Sequence, residues 1–262
     1  MSVAGLHRQR LGRVDGDNMN AALGEVIGTA ILILLGNGVV ANVVLTGTKG
    51  HGSGWIVITW GWGMAVFVAV FTVAAFSGAH LNPAVTIALA MVDKFEWSGV
   101  PGYIAAQFLG AFIGASLVWL FYRPHFALTD DEDLKLACFC TAPAVRNSIS
   151  NLASEIVGTF LLVFAVLFLA VSVFGLGALD ALPVGLLVLA IGLSLGGTTG
   201  YAINPARDLG PRIIHAVLPM PGGKRDSDWG YSWIPVVGPL IGAVLAGAVY
   251  LVLKDPTNIH FR

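Results

Sequence analysis

The chain has 262 residues, 56% of them hydrophobic and 11% charged, with a net charge of −1. A soluble domain carries about 25% charged residues, so this composition excludes an ordinary water-soluble enzyme, and it equally excludes disorder, which needs a chain poor in apolar residues. The balanced charge leaves no basic footprint for nucleic acid, whereas 33 glycines and a mean hydropathy of +0.81 suit helices packed closely inside a bilayer.

Residues 1–20 are polar, mixing Arg8, Arg10 and Arg13 with Asp15 and Asp17, and read as a short tail. The apolar stretch Ala21–Leu45 is too long for the core of a cleaved signal peptide and is the first predicted span. Trp55–Phe76 is the second, and Gly99–Tyr122 the third. The connection 123–150 carries Asp130, Asp131, Glu132 and Asp133 and reads as a water-facing loop. Asn151–Phe174, Ala178–Gly196 and Trp233–Leu253 follow, making six spans, each expected to cross roughly 30 Å of hydrocarbon. The expected fold class is an all-α membrane protein, with residues 1–262 forming a single domain.

Two further segments, Ser77–Met91 and about Thr198–Val217, are apolar but too short to cross. Each contains the tripeptide Asn-Pro-Ala, as Asn82-Pro83-Ala84 and Asn204-Pro205-Ala206. Asn caps a helix well and Pro suits its first turn, so each motif predicts the start of a half-helix. The non-helical backbone before it is tolerated at membrane depth only where it is buried or lines a wet cavity. An internal repeat supports this reading. "GEVIGT" (Gly24–Thr29) opens the first span and "SEIVGT" (Ser154–Thr159) the fourth, and "QFLGA" (Gln107–Ala111) in the third answers "GPLIGA" (Gly238–Ala243) in the sixth. The halves 21–122 and 151–253 hold three spans each, an odd number, so the second copy is expected upside down relative to the first, with the site at the midplane. Lys and Arg do not orient the chain: with both termini inside, six lie within and eight outside, two of the eight belonging to the second half-helix.

Two half-helix N-termini meeting at the membrane centre would raise a barrier to cations and protons. The Asn82 and Asn204 amides would donate to a passing oxygen, and the stretches Gly78, Ala79, His80, Leu81 and Thr199, Gly200, Tyr201, Ala202 would offer carbonyl acceptors. Such a site suits neutral, hydroxyl-rich molecules. Charged groups inside the membrane each need a reason. Glu25 and Glu155, at equivalent repeat positions, read either as a proton relay or as acceptors holding the irregular loops, and the second reading is favoured because no chain of further ionisable groups links them. Arg207, one turn into its half-helix, reads as a pore-lining donor, with Asp208 either its partner or a loop anchor. His80 reads as a hydrogen-bonding loop residue. The small-residue pairs Gly24/Gly28, Gly110/Gly114, Gly192/Gly196 and Gly238/Gly242 read as helix-packing contacts. Gly196-Gly197-Thr198-Thr199-Gly200 lacks the Lys and the preceding strand of a phosphate loop. Cys138 and Cys140 lack matching ligands for a metal. No nucleophile–base pair is evident, so neither catalysis nor a cofactor or metal is expected.

At "SGAHLNPAVT" (Ser77–Thr86) and "GYAINPARDLGPR" (Gly200–Arg212) the sequence resembles the aquaporin, or major intrinsic protein, family over roughly 21–253, and within it the aquaglyceroporin branch. The resemblance implies six tilted helices plus two half-helices, one pore per subunit, a homotetramer in the lipid of a plasma membrane, and both termini in the cytoplasm. It implies a selectivity filter of Trp62, Gly192, Tyr201 and Arg207. Trp62 marks the glycerol type, and Gly192 stands where water-selective members place histidine, which would widen the constriction. Tyr201 departs from the usual bacterial phenylalanine, while Asp208 after the arginine again resembles the glycerol branch. Trp60, by contrast, reads as a packing aromatic. The implied function is passive diffusion of glycerol, other small polyols and similar neutral solutes, with some water. The alternatives are a mainly water-conducting pore and, from another class, an ion-coupled transporter, which inverted repeats also build.

Overall fold

The computed structural model describes residues 3–169 and 177–254, with side chains at 19–169 and 179–254. Among the described residues the secondary structure is entirely helical. The helices are α1 (Val3–Val44), α2 (Trp55–Ser77), α3 (Pro83–Met91), α4 (Val100–Phe121), α5 (Arg123–Leu128), α6 (Glu132–Ala137), α7 (Ser148–Leu169), α8 (Leu182–Leu195), α9 (Pro205–Val217) and α10 (Ile234–Lys254). The chain punctuates them locally. Gly78, with φ 77°, ends α2 in the left-handed conformation and returns its N–H to the Ala74 carbonyl. Proline sits in the first turn of α3, α4, α8 and α9, where its missing N–H costs nothing.

Three expectations change. The polar tail is not separate from the first span, because α1 runs unbroken from Val3; adding residues to a helix already formed costs less than nucleating a new one. Among the described residues five helices have 18 or more residues and are apolar enough to cross a membrane, and the sixth predicted span is a shorter apolar helical segment, Leu179–Leu195, rather than one long helix. The stretch 178–196 is divided into a 3-10 turn (Gly177–Ala181) and the 14-residue α8, about 21 Å long. Pro183 suits the first turn of α8 and favours a helix start there over a helix continued from before it. The predicted end of the fourth span at Phe174 lies outside the described residues. Finally, the connection 123–150 is not simply a water-facing loop. It contains α5 and α6, and it buries Phe126, Lys135, Cys138, Phe139 and Cys140.

α1 packs on α2 and α4, α7 on α8 and α10, and α2 meets α8. Glycine allows the closest of these approaches. A Cβ at Gly110 or Gly114 would lie 2.4 or 2.6 Å from the Val26 or Ala30 carbonyl oxygen of α1. A Cβ at Gly242 would stand 2.4 Å from the Ile156 carbonyl oxygen of α7. Backbones so close gain dispersion contacts that lipid cannot supply. The outer face is apolar throughout, with Leu109, Ile113, Leu117, Leu120 and Phe121 all exposed along α4 alone. A surface of this kind is stable against hydrocarbon and not against water.

Candidate functional site

The two half-helices α3 and α9 meet at their N-termini. Asn82 caps α3, its Oδ1 accepting from the Ala84 N–H at 2.9 Å, and Asn204 caps α9 through the Ala206 and Arg207 N–H groups at 3.0 and 3.2 Å. Each Asn amide then crosses to the opposite loop. Asn82 Nδ2 donates to the Ile203 carbonyl and Asn204 Nδ2 to the Leu81 carbonyl, both at 2.8 Å. An amide NH2 has two donor hydrogens, so one on each Asn joins the loops and one remains. Pro83, Ala84, Pro205 and Ala206 are buried around the junction. Ile203, absent from the residues singled out in the sequence, is therefore an acceptor at the junction.

The loops leading in are held in unfavourable backbone conformations. Ala79 and Leu81 both have φ 52°, Tyr201 has φ 39° and Ile203 has φ 45°, and the left-handed Gly78 and Gly200 stand directly before Ala79 and Tyr201. For a β-branched residue such as Ile203 this is a genuine outlier. Such strain persists only where surrounding bonds over-determine it. Here two buried carboxylates supply them. Glu25 accepts from the His80 and Leu81 N–H groups at 2.9 and 2.7 Å, from Ser77 Oγ at 2.7 Å and from Gln107 Nε2 at 2.8 Å. Glu155 accepts from the Ala202 and Ile203 N–H groups at 3.0 and 2.9 Å. The His80 ring reaches the Thr86 hydroxyl at 3.2 Å and packs on Phe95 and Tyr103.

A lumen of about 320 Å³ runs past this junction. Gly78, Ala79, His80, Leu81 and Ala202 border it, together with Asn82, Asn204, Trp62, Tyr201 and Arg207. Thr199 and Gly200 do not. The Thr199 hydroxyl accepts from the Tyr201 N–H at 3.3 Å, and Gly200 packs under Thr141. Aliphatic side chains line the lumen as well, among them Val66, Val70, Leu162, Val166 and Val188. The Arg207 guanidinium lies 4.1 Å from the Trp62 ring centre, a cation–π contact that holds its charge beside the lumen. Trp60 is exposed on the outer face of α2.

Of the two readings of Asp208 the contacts favour the loop anchor over a pair with Arg207, and one predicted arrangement differs. Both Asp208 and Arg212 are fully buried and 2.8 Å apart, and Asp208 also accepts from the Thr141 N–H and hydroxyl at 2.7 and 2.6 Å. Side chains four apart share a helix face, whereas adjacent ones diverge. Arg212 completes the clamp by donating to the Thr141, Ser227 and Asp228 carbonyls. Lys135 ties the same connection to the loop after α9 through the carbonyls of Pro221, Gly222 and Gly223. Burial within this folded connection pushes the Cys138 and Cys140 thiols well up. The difference is at Gly192, which does not border the lumen. A Cβ there would lie 2.9 Å from both Cζ and Oη of Tyr201, so the space left by the absent side chain is filled rather than open.

Helices with a lipid-compatible exterior around a narrow lumen define a membrane channel. The major intrinsic protein family profile matches residues 14–250, and the chain belongs to that family. It is 60% identical over 232 residues to the probable glycerol uptake facilitator protein of Thermotoga maritima, covering 88% of this chain and 98% of the relative. The glycerol uptake facilitator protein of Streptococcus pneumoniae strain R6 is 57% identical over the same coverage. The D/L-lactic acid transporter of Lactiplantibacillus plantarum is 42% identical over 228 residues, 86% of this chain and 93% of the relative. Among solved structures, the aquaglyceroporin from Plasmodium falciparum superposes with a TM-score of 0.80 at 33% identity, covering 92% of this chain and 98% of that one.

Proposed function

We propose that the protein is a passive transmembrane channel for glycerol and similar small neutral solutes, with some water permeability, that excludes ions and protons. The observation carrying this reading is the mixed lining of the lumen. Aliphatic residues suit a carbon backbone, while Arg207 stacked on Trp62, the Asn82 and Asn204 amides and the strained loops bordering the same space suit hydroxyl groups. A polyol sheds its water against these groups stepwise, each exchange being nearly balanced, as conduction requires. The half-helix N-termini and Arg207 oppose a cation or a hopping proton. Glu25 and Glu155 spend their oxygens on loop N–H groups, which supports a structural role over a proton relay.

Trp62, Tyr201 and Arg207 act as the selectivity filter in this reading, the aromatic pair excluding branched solutes. The relation to a lactic acid transporter supports a second class of solute on the same path, small undissociated hydroxy acids, which share the hydroxyl group of a polyol and are likewise neutral. The matching contacts of α1–α2–α4 and α7–α8–α10 support two inverted halves in one domain. The apolar outer faces suit membrane lipid and a homotetramer in the plasma membrane, each subunit with its own pore.

Radiolabelled glycerol uptake into proteoliposomes tests the passive mechanism. Internal glycerol is expected to rise to the external concentration and stop, with or without a proton gradient. Accumulation above the external concentration under a proton gradient would identify a coupled transporter instead.

A further inference from the structure

The constriction contains a polar atom that none of the described residues satisfies. The Tyr201 hydroxyl is buried and makes no hydrogen bond. One edge of its ring borders the lumen, while its far end enters the space a side chain at Gly192 would occupy, where a Cβ would also lie 3.0 Å from Thr59 Cγ2. One turn further along α8, a Cβ at Gly196 would stand 2.3 Å from Tyr201 Cδ1. Gly192 and Gly196 therefore form a slot in α8 that receives the ring.

The slot does not hold the ring by itself. Tyr201 has φ 39°, a conformation its own backbone disfavours, and its hydroxyl contributes no bond. Trp55, in the first turn of α2, supplies what is missing. Its indole N–H donates to the Gly192 carbonyl at 3.1 Å, and its ring meets Tyr201 edge-on at 5.9 Å and 82°. One side chain thus ties α2 to the slot in α8 and braces the ring seated there, without bordering the lumen.

We infer that Trp55 is a positioning residue that sets the bore of the constriction, and with it the largest polyol the channel passes. The inference rests on the channel reading above. Without the indole, Tyr201 relaxes away from the lumen and longer polyols gain access. A methyl group at position 192 drives the ring the opposite way.

The test compares wild type, Trp55→Phe, Trp55→Ala and Gly192→Ala in proteoliposomes, measuring water, glycerol and erythritol permeability by stopped-flow light scattering. The erythritol-to-glycerol ratio is expected to rise about threefold in Trp55→Ala, the lower end of what one hydrogen bond is worth, and less in Trp55→Phe, which keeps a ring but loses the donor. In Gly192→Ala the glycerol-to-water ratio is expected to fall. Loss of stability alone lowers all fluxes together, so unchanged ratios in both Trp55 variants overturn the inference. If Trp55→Ala does not assemble, an unchanged ratio in Trp55→Phe overturns it alone. Wild-type protein that conducts water but no glycerol would contradict the channel reading itself, a distinct result.

Discussion

A single carboxylate holds each strained loop, and the two are not equally supported. Glu25 has two further side-chain partners, Ser77 and Gln107, whereas Glu155 has the Thr199 side chain beside the Ala202 and Ile203 N–H groups. Glu155→Gln puts an NH2 opposite one of those N–H donors and removes the charge that strengthens both bonds. Bonds to a charged acceptor are worth about 1.5–3 kcal/mol each. Glycerol permeability is therefore expected to fall about tenfold or more, with a lower melting temperature, in proteoliposome flux and thermal unfolding measurements. Unchanged flux would remove Glu155 from the support of the pore. The position of this residue is legible in the sequence, because an acid in an apolar span needs partners and the repeat supplies a second example. What is not legible is Tyr201 filling the space beside Gly192. Spacing places both residues near the constriction, but which ring occupies which void depends on how α2, α8 and the loop before α9 pack.

At the scale of elements, the short helices behave as their own residues direct. The Asn-Pro-Ala starts are local signals, a side-chain cap followed by a proline, and they fix α3 and α9 to the residue. The connection 123–150 shows the opposite case. Its acids lie at the surface, yet its end is drawn in by Asp208 and Arg212 gripping Thr141, and Lys135 is buried only because three carbonyls 86 to 88 residues away receive it. No local pattern announces partners so distant. Removing one member of a buried pair costs about 3–5 kcal/mol, because the other charge is left unpaired. Asp208→Asn is thus expected to release the connection. The readout is maleimide labelling of Cys138 and Cys140, whose thiols are buried and reluctant to ionise in the wild type. Slow labelling in the wild type and several-fold faster labelling in the variant are expected. Equal rates would mean that the clamp does not hold this segment.

Across the whole molecule, the scarcity of charge, 11% of residues, first excludes water as the surrounding solvent. In the structure it also describes the lumen. The carboxylates nearest the junction are tied to backbone and Asp208 is tied to Arg212, so that the charged residues bordering the lumen, among the described residues, are Arg207 and Asp180. That arrangement suits neutral solutes moving down their own gradients. Its most direct test is a sudden step into hyperosmotic glycerol applied to proteoliposomes and followed by light scattering. Rapid shrinkage as water leaves, then protein-dependent re-swelling as glycerol enters, is the predicted result. Shrinkage without re-swelling faster than that of protein-free vesicles would contradict it.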